Sequence, residues 1–584
     1  MQILAEDVSR KILSKEIDKH EAMRLFQSLD QEAQSRVVEN IRSSGGSMAS
    51  LSRGDGKPAS AGRTLKTVDQ RDLTDGHRAY IDALIERYDR FVPKSKANVL
   101  KHQTHFVDQR RAFHLIKDLK KLHFQITYTS AEGAYVSDID GNRYIDISGD
   151  MGVNLFGHKA PFLIEAVKHS LDQGIPLVGY SDMIFKACEL FCELTGHERT
   201  LFTQSGTEAV MFAVRIARAA TGRNKIVLFD GAYHGLSDAV AATKDLGGNS
   251  FPMAPGILQE FADQVIVLDY GDMAALDVIQ ERAGEIATVL VEPVQSRHPY
   301  KKPREFLKAL RQLTLEKDIP LIFDEMITGF RICPKGAQGW YGIQGDMATY
   351  GKIPGGGLPT GVIAGSAKYM DLIDGGTWQF DDDSLPKSKR TGMAGTHSQN
   401  PLKIAAALAV LSEIKNRCGD STSCENCTCF QKDLNAKTAR IADTLNAFFR
   451  EERLSVVIDT FGSLFRFRFL NSYWGVTEAL FFILLRMDGV ETNIQGNCFL
   501  TTAHSDEDID KVIAAVKSNM LNLKANDFFY ESHDEIAQEP PAPVPAVARP
   551  LQNAAPARTA ARNDVERLKM LLSADLDSAQ GPGI

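Results

Sequence analysis

Lys352 stands in Tyr350-Gly351-Lys352-Ile353-Pro354-Gly355-Gly356-Gly357, an amine with four glycines around it. Glycine gives backbone freedom and little steric cover, which suits a nucleophilic amine that must swing between partners; a lysine in a surface turn reads the same way. Asp324 ends the apolar run in Leu321-Ile322-Phe323-Asp324-Glu325. An acid straight after a buried strand sits at the carboxyl edge of a parallel sheet, where ligands bind, or else caps the next helix. Ser205-Gly206-Thr207-Glu208-Ala209 opens a helical pattern running through Val214, Ile216 and Ala217 to Gly222. Small residues at a helix start let backbone N–H groups approach an anion, and the Ser205 and Thr207 hydroxyls add donors; an ordinary Ser or Thr cap has the same sequence. Gly231-Ala232-Tyr233-His234-Gly235 follows the run Lys225–Phe229 and sets an aromatic ring and an imidazole at a strand end, as stacking face, rim or core.

Singly, each feature has its plainer reading. In order along one chain they are a phosphate cradle, a planar stacker, a strand-end acid and a Gly-flanked lysine, which is the set pyridoxal phosphate requires. The lysine forms the Schiff base, and the acid keeps the pyridine nitrogen protonated so that the ring acts as electron sink. A free lysine titrates at about 10.4, so burial or a neighbouring cation must lower that value before Lys352 attacks at neutral pH.

The elements that position these residues are legible between about Val92 and Leu523. Apolar runs at Lys225–Phe229, Gln264–Leu268, Ala287–Val291 and Pro320–Phe323 alternate with longer helical patterns. Continuous rather than alternating apolar runs predict strands buried on both faces of a mainly parallel sheet, hence a large α/β domain. Ahead of it, Ile3, Leu4, Val8, Ile12, Leu13 and Ile17 recur at helical spacing. The expected organisation is a helical element over 1–40, a flexible Gly/Ser-rich linker over 41–65 and a helical lead-in over 66–91. The catalytic domain then spans 92–526, and a Pro/Ala-rich tail over 527–584 ends in a short helix from Asp564 to Leu572.

The chain has 584 residues, 43% apolar and 24% charged, with 67 Lys and Arg against 75 Asp and Glu for a net charge of −8. That balance, without a dense basic stripe, argues against a nucleic-acid partner. The longest strongly apolar run, Ala479–Leu485, is far short of the roughly 20 residues a membrane span needs. Early acids in Met1-Gln2-Ile3-Leu4-Ala5-Glu6-Asp7 do not make a secretory signal, so a cytoplasmic enzyme is the expectation. Eight cysteines are too few for a disulfide scaffold. Cys418, Cys424, Cys427 and Cys429 fall close together, but no second pair follows at zinc-finger spacing, so no metal is assigned. Cys188, Cys192, Cys333 and Cys498 are scattered and read as small buried hydrophobes.

Residues from about 120 to 523 resemble a class III aminotransferase of fold type I, the group containing glutamate-1-semialdehyde aminomutase. The matching stretches are Ser205–Ala209, Thr221-Gly222-Arg223 with Tyr233-His234-Gly235, Val291-Glu292-Pro293-Val294, Asp324 through Arg331 (DEMITGFR), Gly351-Lys352, and Gly395-Thr396-His397 before Asn400-Pro401-Leu402. The resemblance implies a large domain with a mainly parallel sheet, a small α+β domain, and helical and disordered terminal extensions. By it, Lys352 carries pyridoxal 5'-phosphate and shuttles a proton, Asp324 pairs with the pyridinium, Tyr233 stacks on the ring, and Ser205, Gly206 and Thr207 hold the phosphate. Thr396 reaches that phosphate from a neighbouring subunit, which implies a homodimer with composite sites. The chain departs from the pattern at Ile327, where many members have a Gln for the cofactor hydroxyl. Gln295 or Arg297 is left to supply that contact, or Arg297 faces the substrate.

More closely, the chain is similar to aminotransferase domains of hybrid polyketide and nonribosomal-peptide synthetases, of the mycosubtilin and microcystin type. The similarity rests on Asp146–Asn154, Gln204–Met211, Gly395–Leu402 and Gly489–Asn497. It implies transfer from an amino acid donor to a β-keto acyl chain held on an acyl carrier protein. The alternatives are a freestanding ω-aminotransferase or 1,2-aminomutase on a small soluble substrate, a racemase of the same fold, and a cofactor-free scaffold for carrier proteins.

Overall fold

A computed structural model describes Val37 and residues 73–111, 115–245, 248–386, 390–419, 429–470, 475–492 and 496–529. The remainder of the N-terminal element expected over 1–40, the linker over 41–65 and the tail beyond Phe529 lie outside the described residues. The chain divides into two compact units. One holds, among the described residues, Val37 and Ala241–Val267; the other holds Lys66–Val240 and Leu268–Ile536.

In the larger unit, six strands of the central sheet are β4 (Arg199–Thr203), β5 (Lys225–Phe229), β9 (Ile286–Val291), β10 (Leu321–Asp324), β11 (Met347–Gly351) and β12 (Gly361–Gly365), numbered in chain order. Their spatial order is β4-β12-β11-β10-β9-β5. The pairs β5/β9, β9/β10 and β10/β11 are parallel, whereas β12 runs antiparallel to both β11 and β4. Only β12 runs against the rest, so the sheet is mixed by one strand and otherwise parallel, as expected. The strand β12 is entered from a tight Gly-rich connection after Lys352, too short for a helical crossover, so it must turn back on β11. Two antiparallel neighbours put β4 back in the direction of β11. The carboxyl ends of β4, β5, β9, β10 and β11 consequently share one edge.

Burial explains the strand choice: every residue of β9, β10 and β11 is buried, which fits strands covered by helices on both faces. The helix Gly206–Thr221 buries Ala209, Val210, Phe212, Ala213, Val214, Ile216 and Ala217 and ends at Gly222 in a left-handed cap. A smaller layer joins chain segments from both ends of this unit. β1 (Tyr128–Glu132), β2 (Tyr135–Asp138) and β3 (Arg143–Asp146) form a meander, and β15 (Val490–Glu491) adds in parallel to β3. β13 (Val456–Phe461), β14 (Leu464–Phe469) and β16 (Asn497–Phe499) form an antiparallel sheet. The helices Phe430–Glu451 and Asp506–Ala525 accompany it, as expected for a small α+β domain.

The other unit contains an antiparallel pair, β6 (Ala242–Lys244) with β7 (Ser250–Pro252), and the Ser250 hydroxyl donates to the Val265 carbonyl at 2.7 Å. No described helix is long and apolar enough to cross a membrane. Cys333 and Cys429 are both buried and disulfide-bonded, so Cys333 is buried as expected but is also a cross-link. Gln431 and Asn435 donate to the Phe330 and Ile332 carbonyls, and these bonds bring the start of the helix Phe430–Glu451 onto the Cys333 segment. Cys188, Cys192, Cys418 and Cys498 are free.

Candidate active site

The shared carboxyl edge gathers the chemistry. Asp324 is the last residue of β10, Lys352 follows β11, Glu292 follows β9, Tyr233 and His234 follow β5, and Ser205 follows β4. Asp324 is 3% exposed and accepts from His234 Nδ1 at 2.7 Å and from the Met326 amide at 3.1 Å. His234 is buried as well, and its Nε2 has no hydrogen-bond partner among the described residues. A buried carboxylate with a buried imidazole behind it keeps its aim without water, because the ring N–H donates to it.

Lys352 adopts φ 56° and ψ −95°, outside the regions open to most side chains. Its carbonyl accepts from Gly355 N at 3.0 Å, and the preceding Gly351 pairs with Gly361 across β11 and β12. Surrounding structure thus holds a strained backbone at the residue that must present its amine, a pattern common at functional sites. Burial lowers the Lys352 pKa, with the Arg331 charge acting in the same direction and those of Asp324 and Glu292 opposing. Glu292, 7% exposed, accepts from the Tyr233 amide at 3.1 Å, and burial raises its own pKa.

Met326 packs between the cradle and the lysine strand. A Cβ on Gly206 would lie 2.6 Å from Met326 Sδ, and one on Gly351 would lie 2.8 Å from it, so neither position admits a larger residue without displacing the thioether. Ser205 caps the helix Gly206–Thr221 by accepting from Glu208 N at 3.2 Å. Thr207 Oγ1 accepts from Leu236 N at 3.3 Å, which ties the cradle to the turn carrying Tyr233. The Tyr233 ring is 45% exposed, with the Arg297 guanidinium 5.6 Å from its centre. Gln295 is fully buried and donates to the Asp230 carbonyl at 2.8 Å. Ile327 is half-buried and Thr396 is exposed.

Two residues here escaped the sequence reading. Arg331 is 1% exposed and donates to Ser463 Oγ and to the carbonyls of Gly152, Asn154 and Leu500, neutral oxygens all, with Phe499 under its guanidinium. Burial brings its pKa down to about 9. Lys403 is 5% exposed and donates to the Thr203 carbonyl, just ahead of the cradle, at 2.7 Å. Its only sequence signal is a charge inside an apolar helix, Pro401–Cys418.

Burial pulls Lys403 down to about 8, with Glu208 opposing. Unfolded, the amine titrates at about 10.4. Below pH 8 both states carry the proton and the folded state bears the whole penalty. Between pH 8 and about 10.4 the unfolded chain binds more protons, so stability rises with pH across that window. Lys403→Met removes ~3 kcal/mol of penalty and forfeits ~1 kcal/mol of hydrogen bonding. The variant is expected to gain ~2 kcal/mol at pH 7 by urea denaturation, with the gain shrinking by pH 10. A variant less stable than the parent at pH 7 would refute the assignment.

Residues 117–454 match the family model described as aminotransferase class-III, more than half of the chain. The chain belongs to the class-III aminotransferases. Glutamate-1-semialdehyde 2,1-aminomutase of Chloroflexus aurantiacus is 34% identical over 420 residues, covering 68% of this chain and 90% of the relative. The same enzyme of Methanosphaera stadtmanae is 35% identical over 405 residues, covering 68% and 91%. A solved β-phenylalanine aminotransferase from Variovorax paradoxus superposes with a TM-score of 0.64 at 27% identity, over 76% of this chain and 98% of that one. An ω-transaminase from Sphaerobacter thermophilus gives 0.65 at 25%, over 75% and 99%.

As a class-III aminotransferase of fold type I the chain is a pyridoxal phosphate enzyme. The residues present fit that group. They include an orphaned buried imidazole nitrogen behind a strand-end carboxylate, an exposed tyrosine, a helix start kept open by Gly206, and a half-buried amine whose pKa is lowered.

Proposed function

We propose that this aminotransferase moves an amino group from an amino acid donor to a β-keto acyl chain presented on an acyl carrier protein, in polyketide or nonribosomal peptide assembly. The observation that carries the reading is the sequestration of Arg331. The cation felt by Lys352 has its guanidinium committed to carbonyls and a hydroxyl inside the protein, so it offers no clamp to a free substrate carboxylate. Similarity to an aminotransferase named for a β-amino acid supports amination at the β-carbon. The long matches over Asp146–Asn154 and Gly489–Asn497 support the assembly-line setting.

In this reading Lys352 holds the cofactor covalently and afterwards carries a proton between the substrate carbon and the cofactor. Asp324, steadied by His234, holds the proton on the pyridine nitrogen. Tyr233 covers the ring, and the Gly206 and Thr207 amides with the Ser205 and Thr207 side chains face the phosphate. Bound pyridoxal phosphate supplies the electron sink that makes the substrate C–H acidic. A second copy of the chain completes the site through Thr396. Exposed Val178, Tyr180 and Phe185, clustered in sequence, support an apolar surface for that copy.

A second reading, a freestanding ω-aminotransferase or aminomutase on a small soluble acid, is favoured by Arg297, whose guanidinium places a positive charge 5.6 Å from the centre of the Tyr233 ring. Absorption spectra decide between them. The cofactor band is expected to bleach with glutamate or glutamine and to return on adding a β-keto acyl carrier protein. Recovery with small free keto acids alone would establish the second reading.

A further inference from the structure

The turn Gly149–Gly152 has four successive residues with positive φ, and two of them, Asp150 (φ 50°, ψ 46°) and Met151 (φ 58°, ψ 35°), are not glycine. Its geometry is imposed from several directions. A Cβ on Gly149 or on Gly152 would come within 3.0 Å of the Phe499 side chain. Arg331 Nη2 donates to the Gly152 carbonyl at 2.7 Å, and Asn154 N donates to the Gly149 carbonyl at 3.0 Å. The outcome is that Asp150 and Met151 both point outward, with the Asp150 side chain 59% exposed. A backbone forced into this region at two side-chain-bearing residues marks a position selected for what those side chains meet.

Of the two, Asp150 stands on the wall of a cavity of about 200 Å³. Its wall includes Asp150, Phe156, His158 and Leu163, and also Ile353 and Gly356, which directly follow Lys352 in the chain. Asp150 does not stand alone there. His158 Nε2 donates to the buried Asp146 carboxylate at 2.8 Å, and His158 Nδ1 faces Asp150 Oδ2 at 3.6 Å. The other Asp146 oxygen accepts from Ser148 N and Ser148 Oγ, so the polar atoms turned inward are spent on one another. Burial weakens the His158 cation, but the Asp146 bond and the Asp150 and Asp146 charges outweigh it and raise the His158 pKa. Two acids flank one imidazole here, so acid is in excess, and Asp150, whose pKa burial and the Asp146 charge raise while His158 opposes, is the exposed end. Lys159, on the same wall, has Glu132 at 3.8 Å as its own counter-charge.

We propose that Asp150 is a specificity-determining residue: its carboxylate, on the cavity wall shared with the Lys352 loop, excludes substrates that carry a free carboxylate and admits neutral acyl groups such as thioesters. The inference rests on the acyl-thioester reading above and extends it from what the site lacks to what it rejects. Like charges brought together in a partly dehydrated cavity repel far more strongly than in water. Asparagine and glycine both tolerate a left-handed backbone, so Asp150→Asn and Asp150→Gly each remove the charge without refolding the turn.

The test compares the parent enzyme with both variants on 3-aminobutanoate and on its N-acetylcysteamine thioester, read as bleaching of the cofactor band. Alongside it, calorimetry on the cofactor-free protein measures binding of two unreactive probes, butanoate and butanamide. Both variants are expected to raise the acid-to-thioester ratio of kcat/KM about tenfold and to shift the butanoate-to-butanamide affinity ratio the same way. Unchanged ratios in both measurements, in either folded variant, would overturn the proposal. If the parent turns over neither β-amino compound but butanoate binding still improves in the variants, the selecting role of Asp150 stands and the acyl-thioester reading fails.

Discussion

Lys352→Ala is expected to abolish covalent retention of pyridoxal phosphate and to lower transamination at least about ten-thousandfold, since in the proposed function it removes both the amine that holds the cofactor and the base that moves the proton. The geometry leaves no substitute. Lys352 is the amine at the junction of β11 and the glycine turn, with Asp324 and Glu292 in its field. Lys403, the buried lysine described at this edge, is tied to the Thr203 carbonyl. Borohydride reduction followed by intact-mass measurement reads the first effect directly. The parent chain gains the mass of the reduced cofactor and the variant does not. A variant that still takes up the label would show that another lysine carries the chemistry.

The second large effect separates holding the cofactor from using it. Asp324→Asn keeps an oxygen for His234 Nδ1, 2.7 Å away, and keeps the shape of the β10 end, but removes the negative charge that stabilises a protonated pyridine. Cofactor attachment is expected to survive, while the donor half-reaction slows about a thousandfold, the scale of losing one preorganised electrostatic contact in a dry site. His234→Gln is expected to fall between the two, because it loosens Asp324 without discharging it. Stopped-flow absorbance of the donor half-reaction checks both variants. An Asp324→Asn rate within tenfold of the parent would place the pyridine nitrogen elsewhere.

Much of this site could be read from the chain because its parts are local. Lys225–Phe229 was bounded to the residue, and the runs at Ala287 and Pro320 within one, since strands buried on both faces write themselves as continuous apolar segments. Asp324 announced itself by sitting at the end of such a run, and Lys352 by the glycines around it. The strand β12 did not, because Gly361-Val362-Ile363-Ala364-Gly365 is short and glycine-bounded, and its antiparallel course depends on a turn that periodicity does not encode. The pairing of His234 with Asp324 joins residues 90 apart, and the Arg331 bonds reach further still, so neither leaves a mark on local spacing. Asp150 stayed hidden for a different reason. An acid between glycines reads as an ordinary turn until the packing of Phe499 shows which way it must face.

Arg331 also bears on when the enzyme becomes competent during synthesis. Its partners lie 132 to 179 residues away on either side, at Gly152 and Asn154 upstream and at Ser463 and Leu500 downstream. A ribosome that has delivered the lysine loop has delivered Gly152 and Asn154, but not yet Ser463 and Leu500, which hold Arg331 from the other side, nor Phe499, against which Gly149 and Gly152 pack. Until Leu500 clears the exit tunnel, Arg331 has only its two upstream carbonyls, and the growing chain can form its central sheet before that cage is complete.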